Sequence, residues 1–260
     1  MKSLRLFLLT AVVLCSASAN VNARVVNVQS LIRPDMPEGL QGEVGGSVNY
    51  RTGNIDLLLA KTSLLASVRS GDHVVISSSL AELGVKGGDD FMERVFSHLR
   101  YQWILTPSVT WETFGQIATD RFKRLKLRGL GGTGPRMALV QGAAVSVALG
   151  LAYMFETEEL NGSETLSDGG DTDQAHRLSS YLTAKFMLSP DIGLLNTAYY
   201  QPRFDDFSGD WRLLNQLDVS LKLSEKFALV VGYEVSYDTA PPEAIKELDT
   251  STNVKLVVGF

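Results

Sequence analysis

Cysteine is nearly absent. The chain carries one, Cys15, which excludes an intramolecular disulfide framework and a cysteine-based zinc site. Long apolar runs are absent as well: no segment reaches the ~18 uninterrupted apolar residues of a spanning helix. Basic residues are outnumbered, 24 Lys and Arg against 29 Asp and Glu. A net charge of -5 argues against a nucleic-acid binder held by phosphate neutralisation. Histidine is limited to His73, His98 and His176. What remains is 45% apolar and 20% charged, a composition that folds.

The first residues read as an address. Lys2 and Arg5 precede a short apolar run from Leu6 to Leu14, and small residues Ala17-Ser18-Ala19 come next. That order predicts a secretory signal peptide over residues 1–23, cleaved after Ala19 or after Ala23. Its removal leaves no cysteine, which suits an oxidising compartment. Residues 24–38 then form an N-terminal segment that could plug or edge the main domain.

From residue 39 to 260 the period is two. Val145, Val147, Leu149, Leu151, Tyr153 and Phe155 share one parity, while Ala148, Gly150, Ala152, Met154 and Glu156 share the other. A strand sorts large from small residues in this way and a helix does not. Val95, Leu99, Tyr101 and Trp103 oppose Arg94, His98, Arg100 and Gln102. Trp211, Leu213 and Leu217 oppose Arg212, Gln216 and Asp218; Phe227, Leu229, Val231 and Tyr233 oppose Ala228, Val230, Gly232 and Glu234. Turn residues such as Ser70-Gly71-Asp72, Thr106-Pro107 and Ser189-Pro190-Asp191 punctuate the runs. The spacing predicts an all-β fold, a closed antiparallel transmembrane β-barrel of about 12 strands.

A secreted soluble β-protein also alternates. Three features favour the membrane barrel. Polar faces carry charge along their length, as in Glu112, Gln116 and Asp120. Aromatic residues Tyr101, Trp103, Trp111, Tyr153, Phe155, Tyr237 and Phe260 fall near strand ends, as girdles would. The chain closes on an alternating strand ending in Phe260. With a periplasmic N-terminus, the longest connections, roughly Glu158 to Ala175 and Ala240 to Asp249, face outward. The expected location is the outer membrane of a Gram-negative bacterium, with outer-membrane lipid as surroundings and no nucleic acid as partner. The sequence leaves the oligomeric state open.

Several stretches resemble one known family in their order along the chain. They are Thr52-Gly53-Asn54, His98-Leu99-Arg100-Tyr101, Asp120-Arg121-Phe122, Tyr199 to Phe204, Tyr237 to Pro242, and the close from Asp249 to Phe260. Together they resemble the salt-induced outer-membrane proteins, a barrel family otherwise labelled a domain of unknown function. The resemblance implies an outer-membrane barrel and no settled activity. The terminal Phe260 is similar to the signal that barrel-assembly machinery recognises, which makes that machinery an expected partner.

The candidate site is a lumen charge network of Arg94, His98, Arg100, Glu112, Asp120, Arg124, Glu234 and Lys255. Arg128, Lys185, Arg212 and Asp218 add to the charges expected to fill a barrel of this size, so the pore is expected to be narrow or closed. A lipid hydrolase would need a serine beside His98, and no motif places one there. Acids Glu158, Glu159, Glu164, Asp168, Asp171 and Asp173 read as a solvated loop before a calcium site. Gly129, Gly131, Gly132 and Gly134 read as a strand bend before a phosphate cradle. No catalytic residue, metal or cofactor is expected. The favoured function is a non-enzymatic envelope role, with salt adaptation implied by the resemblance. The alternatives are a narrow solute or ion channel and a lipid-modifying enzyme.

Overall fold

The computed structural model describes residues 37–52, 56–87, 89–162, 165–225 and 227–259. The expected signal peptide, nearly all of the N-terminal segment, Glu164 and Phe260 lie outside these residues. Twelve antiparallel strands close into one barrel: β1 (Gly39–Arg51), β2 (Leu57–Ser70), β3 (His73–Lys86), β4 (Asp89–Thr106), β5 (Val109–Asp120), β6 (Leu125–Gln141), β7 (Val145–Leu160), β8 (Thr172–Ser189), β9 (Ile192–Pro202), β10 (Trp211–Lys222), β11 (Phe227–Asp238) and β12 (Leu248–Gly259). Each strand pairs with its sequence neighbours, and β1 meets β12. A single 3-10 turn, Arg121–Lys123, is the only helical element among the described residues. Asp120 caps it by accepting from the Lys123 N–H, and Arg124 closes it in the left-handed region at φ 60°.

Alternation explains the wall. On β4 the even positions Arg94, Phe96, His98, Arg100 and Gln102 are buried, while Val95, Leu99, Tyr101 and Trp103 are exposed. The same sorting puts Ile117, Leu151, Leu182 and Val254 on the outside and Glu112, Glu156 and Arg212 within. Apolar residues outside and charged residues inside reverse the rule for a water-soluble fold, and fit a wall whose solvent is lipid.

Aromatic rings mark the two rims of that wall. At the turn end Trp103 faces Trp111 across β4–β5, and the His73 ring lies 6.0 Å from Tyr101, whose hydroxyl it meets at 2.8 Å. At the loop end Tyr153, Phe155 and Phe204 gather around His176, and Tyr200, Trp211 and Tyr237 continue the belt. Along β8, ten residues separate outward-facing His176 from outward-facing Phe186. At ~3.3 Å per residue and a tilt of ~40°, this gives ~25 Å, the height of an outer-membrane apolar band.

The connections are asymmetric, as expected. At one end they run 71–72, 107–108, 142–144, 190–191 and 223–226. At the other they include 161–171, 203–210 and 239–247. The longest is shorter than the sequence predicts, because β7 and β8 continue past the girdle. Glu158 is therefore not in a solvated loop; it is a buried residue of β7.

The glycine run of β6 lies inside the strand. A Cβ on Gly134 would collide with the Leu151 carbonyl oxygen, and one on Gly132 would stand 2.7 Å from that of Tyr153. Close approach of β7 requires glycine there, and no phosphate-cradling loop exists at this position.

Candidate functional site

The lumen is organised around a few acids. Near the loop end, Glu156 on β7 accepts from three arginines. Arg128 of β6 approaches to 2.5 Å, Arg177 of β8 to 2.6 Å and Arg212 of β10 to 2.9 Å. Glu158, two residues along the same face, takes Arg128 at 3.2 Å and Arg212 at 3.0 Å. Asp210 holds Arg177 at 2.8 Å, and Asp238 holds Arg212 at 3.3 Å. Arg128, Glu156 and Arg177 are at most 1% exposed. Residues from β6, β7, β8 and β10 thus interlock across the bore. Burying so many charges is tolerable only because each is met by an opposite one.

Nearer the middle, Glu112 forms a second cluster. Gln102 donates to it at 2.6 Å, the Tyr181 hydroxyl at 2.7 Å and Arg100 at 3.1 Å. The Arg100 guanidinium sits 5.4 Å from the Phe114 ring centre and 5.7 Å from that of Tyr181. Tyr181 lies flat over Gly150, where a Cβ would run into the ring. Its other side tilts against Tyr199 at 5.4 Å. A third cluster joins Glu82 to Arg94 at 3.3 Å and to Lys61, with Asp120 3.9 Å from Arg94.

Beyond the loop end of the strands, the residue closing the 3-10 turn is tied to the β7–β8 and β11–β12 connections. Arg124 pairs with Asp168 at 2.7 Å and donates to the Glu243 carbonyl at 2.8 Å. Asp168 in turn accepts the Glu243 N–H, and the Glu243 carboxylate accepts from Ser167. The Asp168 carboxyl is held below its ordinary value, first by the hydrogen bond from Arg124 and then by the Glu243 N–H. Arg203 similarly ties Asp173 and Asp205 together at 2.9 and 2.8 Å.

Of the residues expected from sequence, Arg94, His98, Arg100, Glu112 and Asp120 line the lumen and are buried. Arg100 and Glu112 belong to the second cluster, Arg94 and Asp120 to the third, and His98 to neither. Arg124 does not belong to the lumen: the tight turn ends on it and directs it into the loop cap. Glu234 faces inward on β11 beside Gln216 and Ser251, away from both main clusters. Lys255 lies on β12 opposite Val230, and its side chain is outside the described set. His98 stacks between Phe96 and Phe114, with ring centres at 6.3 and 5.9 Å. Strand register sets Ser78 and Gln116 on either side of it. Among the described residues no hydrogen bond joins Ser78 to the ring. Sequence reasoning misses the centre of the largest cluster, Glu156, and its partner Arg177. Parity with Gly150, Ala152 and Met154 is the signal that marks Glu156 as inward-facing. Glu159, Asp168 and Asp173 pair with Lys126, Arg124 and Arg203, and among the described residues no group of acids and histidines is placed to hold a metal ion.

A closed twelve-stranded barrel with an apolar outer band, aromatic rims and a charged interior defines an outer-membrane β-barrel protein. The chain belongs to the family described as protein of unknown function, DUF481, whose model matches residues 43–260. No curated protein matches the sequence. Among solved structures it is similar to an outer membrane channel from Pseudomonas putida F1, at 13% identity and a TM-score of 0.54, covering 91% of this chain and all of that one. It is also similar to the NanC porin, at 12% identity and a TM-score of 0.49, covering 84% and 98%. The KdgM porin gives 11%, 0.44, 85% and 96%. The first likeness shows the fold alone.

Proposed function

We propose that this protein is a non-enzymatic outer-membrane barrel whose axial route is shut, serving the envelope as a sealed wall element with an exposed loop platform. One observation carries the reading: Glu156 and the three arginines around it are almost wholly inaccessible, so the loop half of the bore holds side chains in place of a water column. In this reading residues 1–23 direct export, the N-terminus is periplasmic and the long loops face outward. Phe260 is the mark read by barrel-assembly machinery. A role in salt adaptation rests on the family resemblance. The test is single-channel recording of the folded protein in a planar bilayer across a salt gradient. Silence is the expected result, and reproducible conductance steps would overturn the sealed barrel.

A second reading, a narrow channel, is favoured by one feature. Toward the turn end the inward positions are small or partly exposed, among them Ala228, Ser220, Asp218 and Lys185. Conductance with a reversal potential set by ion sign would establish it.

A further inference from the structure

Eleven of the twelve strand junctions are paired along most of their length. The β1–β2 junction holds thirteen register pairs and β11–β12 holds eleven. The junction that closes the barrel differs. Among the described residues β1 and β12 share two pairs, Glu43↔Gly259 and Val44↔Val258. Past this point, among the described residues, 45–51 pair only with β2, and 248–257 pair only with β11. The wall forks from Gly45 toward the loop end.

The fork lies inside the lipid band. Leu248 is level with Tyr237 of the loop-end girdle, and Val258 is level with Phe227 near the turn end. An edge strand turns the N–H and C=O of alternate residues sideways, so β12 alone presents about five of each to the gap. Hydrocarbon satisfies none of them. The two sides of the gap also differ in character. Its outer lips are apolar and open, with Val48 74%, Val254 61% and Leu256 53% exposed. Behind them on β12, Ser251 is 5% exposed, and its Oγ has no hydrogen-bond partner among the described residues; the same holds for Asn253 Oδ1.

A molecule that fits such a slot has a hydrogen-bonding head and an apolar tail. We propose that the fork between β1 and β12 is a lateral portal that seats a bilayer phospholipid. Its head lies against the unpaired edges and Ser251, and its acyl chain passes Val48 and Val254 into the membrane. Phosphate oxygens accept from the edge N–H groups, and head-group donors meet the carbonyls. The portal requires a barrel that sits in a membrane, and it stands whether or not the axial bore conducts.

Two measurements test it on full-length protein carrying Cys15→Ser, with correct folding checked by heat-dependent gel mobility. First, cysteines replace Val44 and Val258, or Val48 and Val254, and mild oxidant is added in phosphatidylcholine vesicles. The first pair should form a disulfide and the second should not. Equal cross-linking of both pairs would mean a closed seam and overturn the portal. Second, Ser251→Cys is placed in vesicles doped with phosphatidylethanolamine bearing a maleimide on its head group. Labelling is expected there, and none for Thr197→Cys, which is buried on β9, away from the seam. An open seam without labelling of Ser251→Cys would mean that another strand, not a lipid, fills the gap, and would also overturn the proposal.

Discussion

Glu156→Gln removes an acid that touches three arginines while keeping the size of the side chain. At charge separations of roughly 4 Å and an effective dielectric of about 20, each attraction is about 4 kcal/mol. Most of this gross energy is offset by the cost of drying the carboxylate, and breaking one partner out of a buried pair costs about 3–5 kcal/mol. Arg128, Arg177 and Arg212 each keep a second acid, in Glu158, Asp210 and Asp238, so the low end applies. The expected loss is about 3 kcal/mol. With a urea slope of about 3 kcal/mol per molar, the unfolding midpoint falls by about 1 M. The assay is equilibrium unfolding in micelles, read by the mobility difference between folded and unfolded barrel. In planar bilayers the same variant should conduct where the wild type is silent, because arginines freed from Glu156 hydrate and swing apart. An unchanged midpoint together with continued silence would refute the reasoning: the cluster would then be screened by water and would not be what shuts the bore.

Three more outcomes are expected from particular contacts. Gly150→Ala forces the Tyr181 ring off the wall and breaks its bond to Glu112, costing about 1–3 kcal/mol in the same unfolding assay; an unchanged midpoint would mean the ring has room to move. Gly134→Ala sets a methyl against the Leu151 backbone, which cannot retreat, and should abolish heat-modifiable barrel on a detergent gel. Asp168 is held below its ordinary value in the folded cap, so its contribution is present above the unfolded value of about 4 and is lost as pH falls through the lower folded value. Pepsin should therefore cut within 161–171 faster as pH drops below about 4, and Asp168→Asn should be cut readily at every pH. Identical profiles for the two would remove Arg124–Asp168 as the tie.

Much of the architecture is readable in the sequence because a barrel wall has two solvents and each strand reports both. Val145 to Phe155 sorts large residues from small ones, and β4 sorts aliphatic from charged ones. Strand ends are less readable. β7 and β8 run on above the girdle, where alternation is between two wet faces and ceases to signal a strand. For that reason the pattern alone assigns Glu158 to a loop. The charge network is legible as a set of inward residues but not as pairs. Pairing depends on register around the barrel, which brings Arg212 of β10 to Glu156 of β7 across two intervening strands. Arg177 escapes notice because β8 carries Ser179, Tyr181 and Thr183 on the same inner face, a mixture with no hydrophobic contrast. The fork at β1–β12 leaves no trace in composition, since closure is a property of two segments at opposite ends of the barrel sequence.

The upward continuation of β7 and β8 sets how far the protein reaches. From His176 at the rim to Thr172 is four residues, or ~10 Å of height at ~3.3 Å per residue and a tilt of ~40°. A head-group layer adds only roughly 5–8 Å beyond the hydrocarbon. The described part of this connection, with Asp168, therefore stands beyond the lipid surface, together with Arg124 and Glu243, which Asp168 touches. In the proposed orientation, an antibody, a phage or a protease approaching that face would first meet Arg124, Asp168 and Glu243 tied together, and residues 161–171 are the place to put an epitope tag.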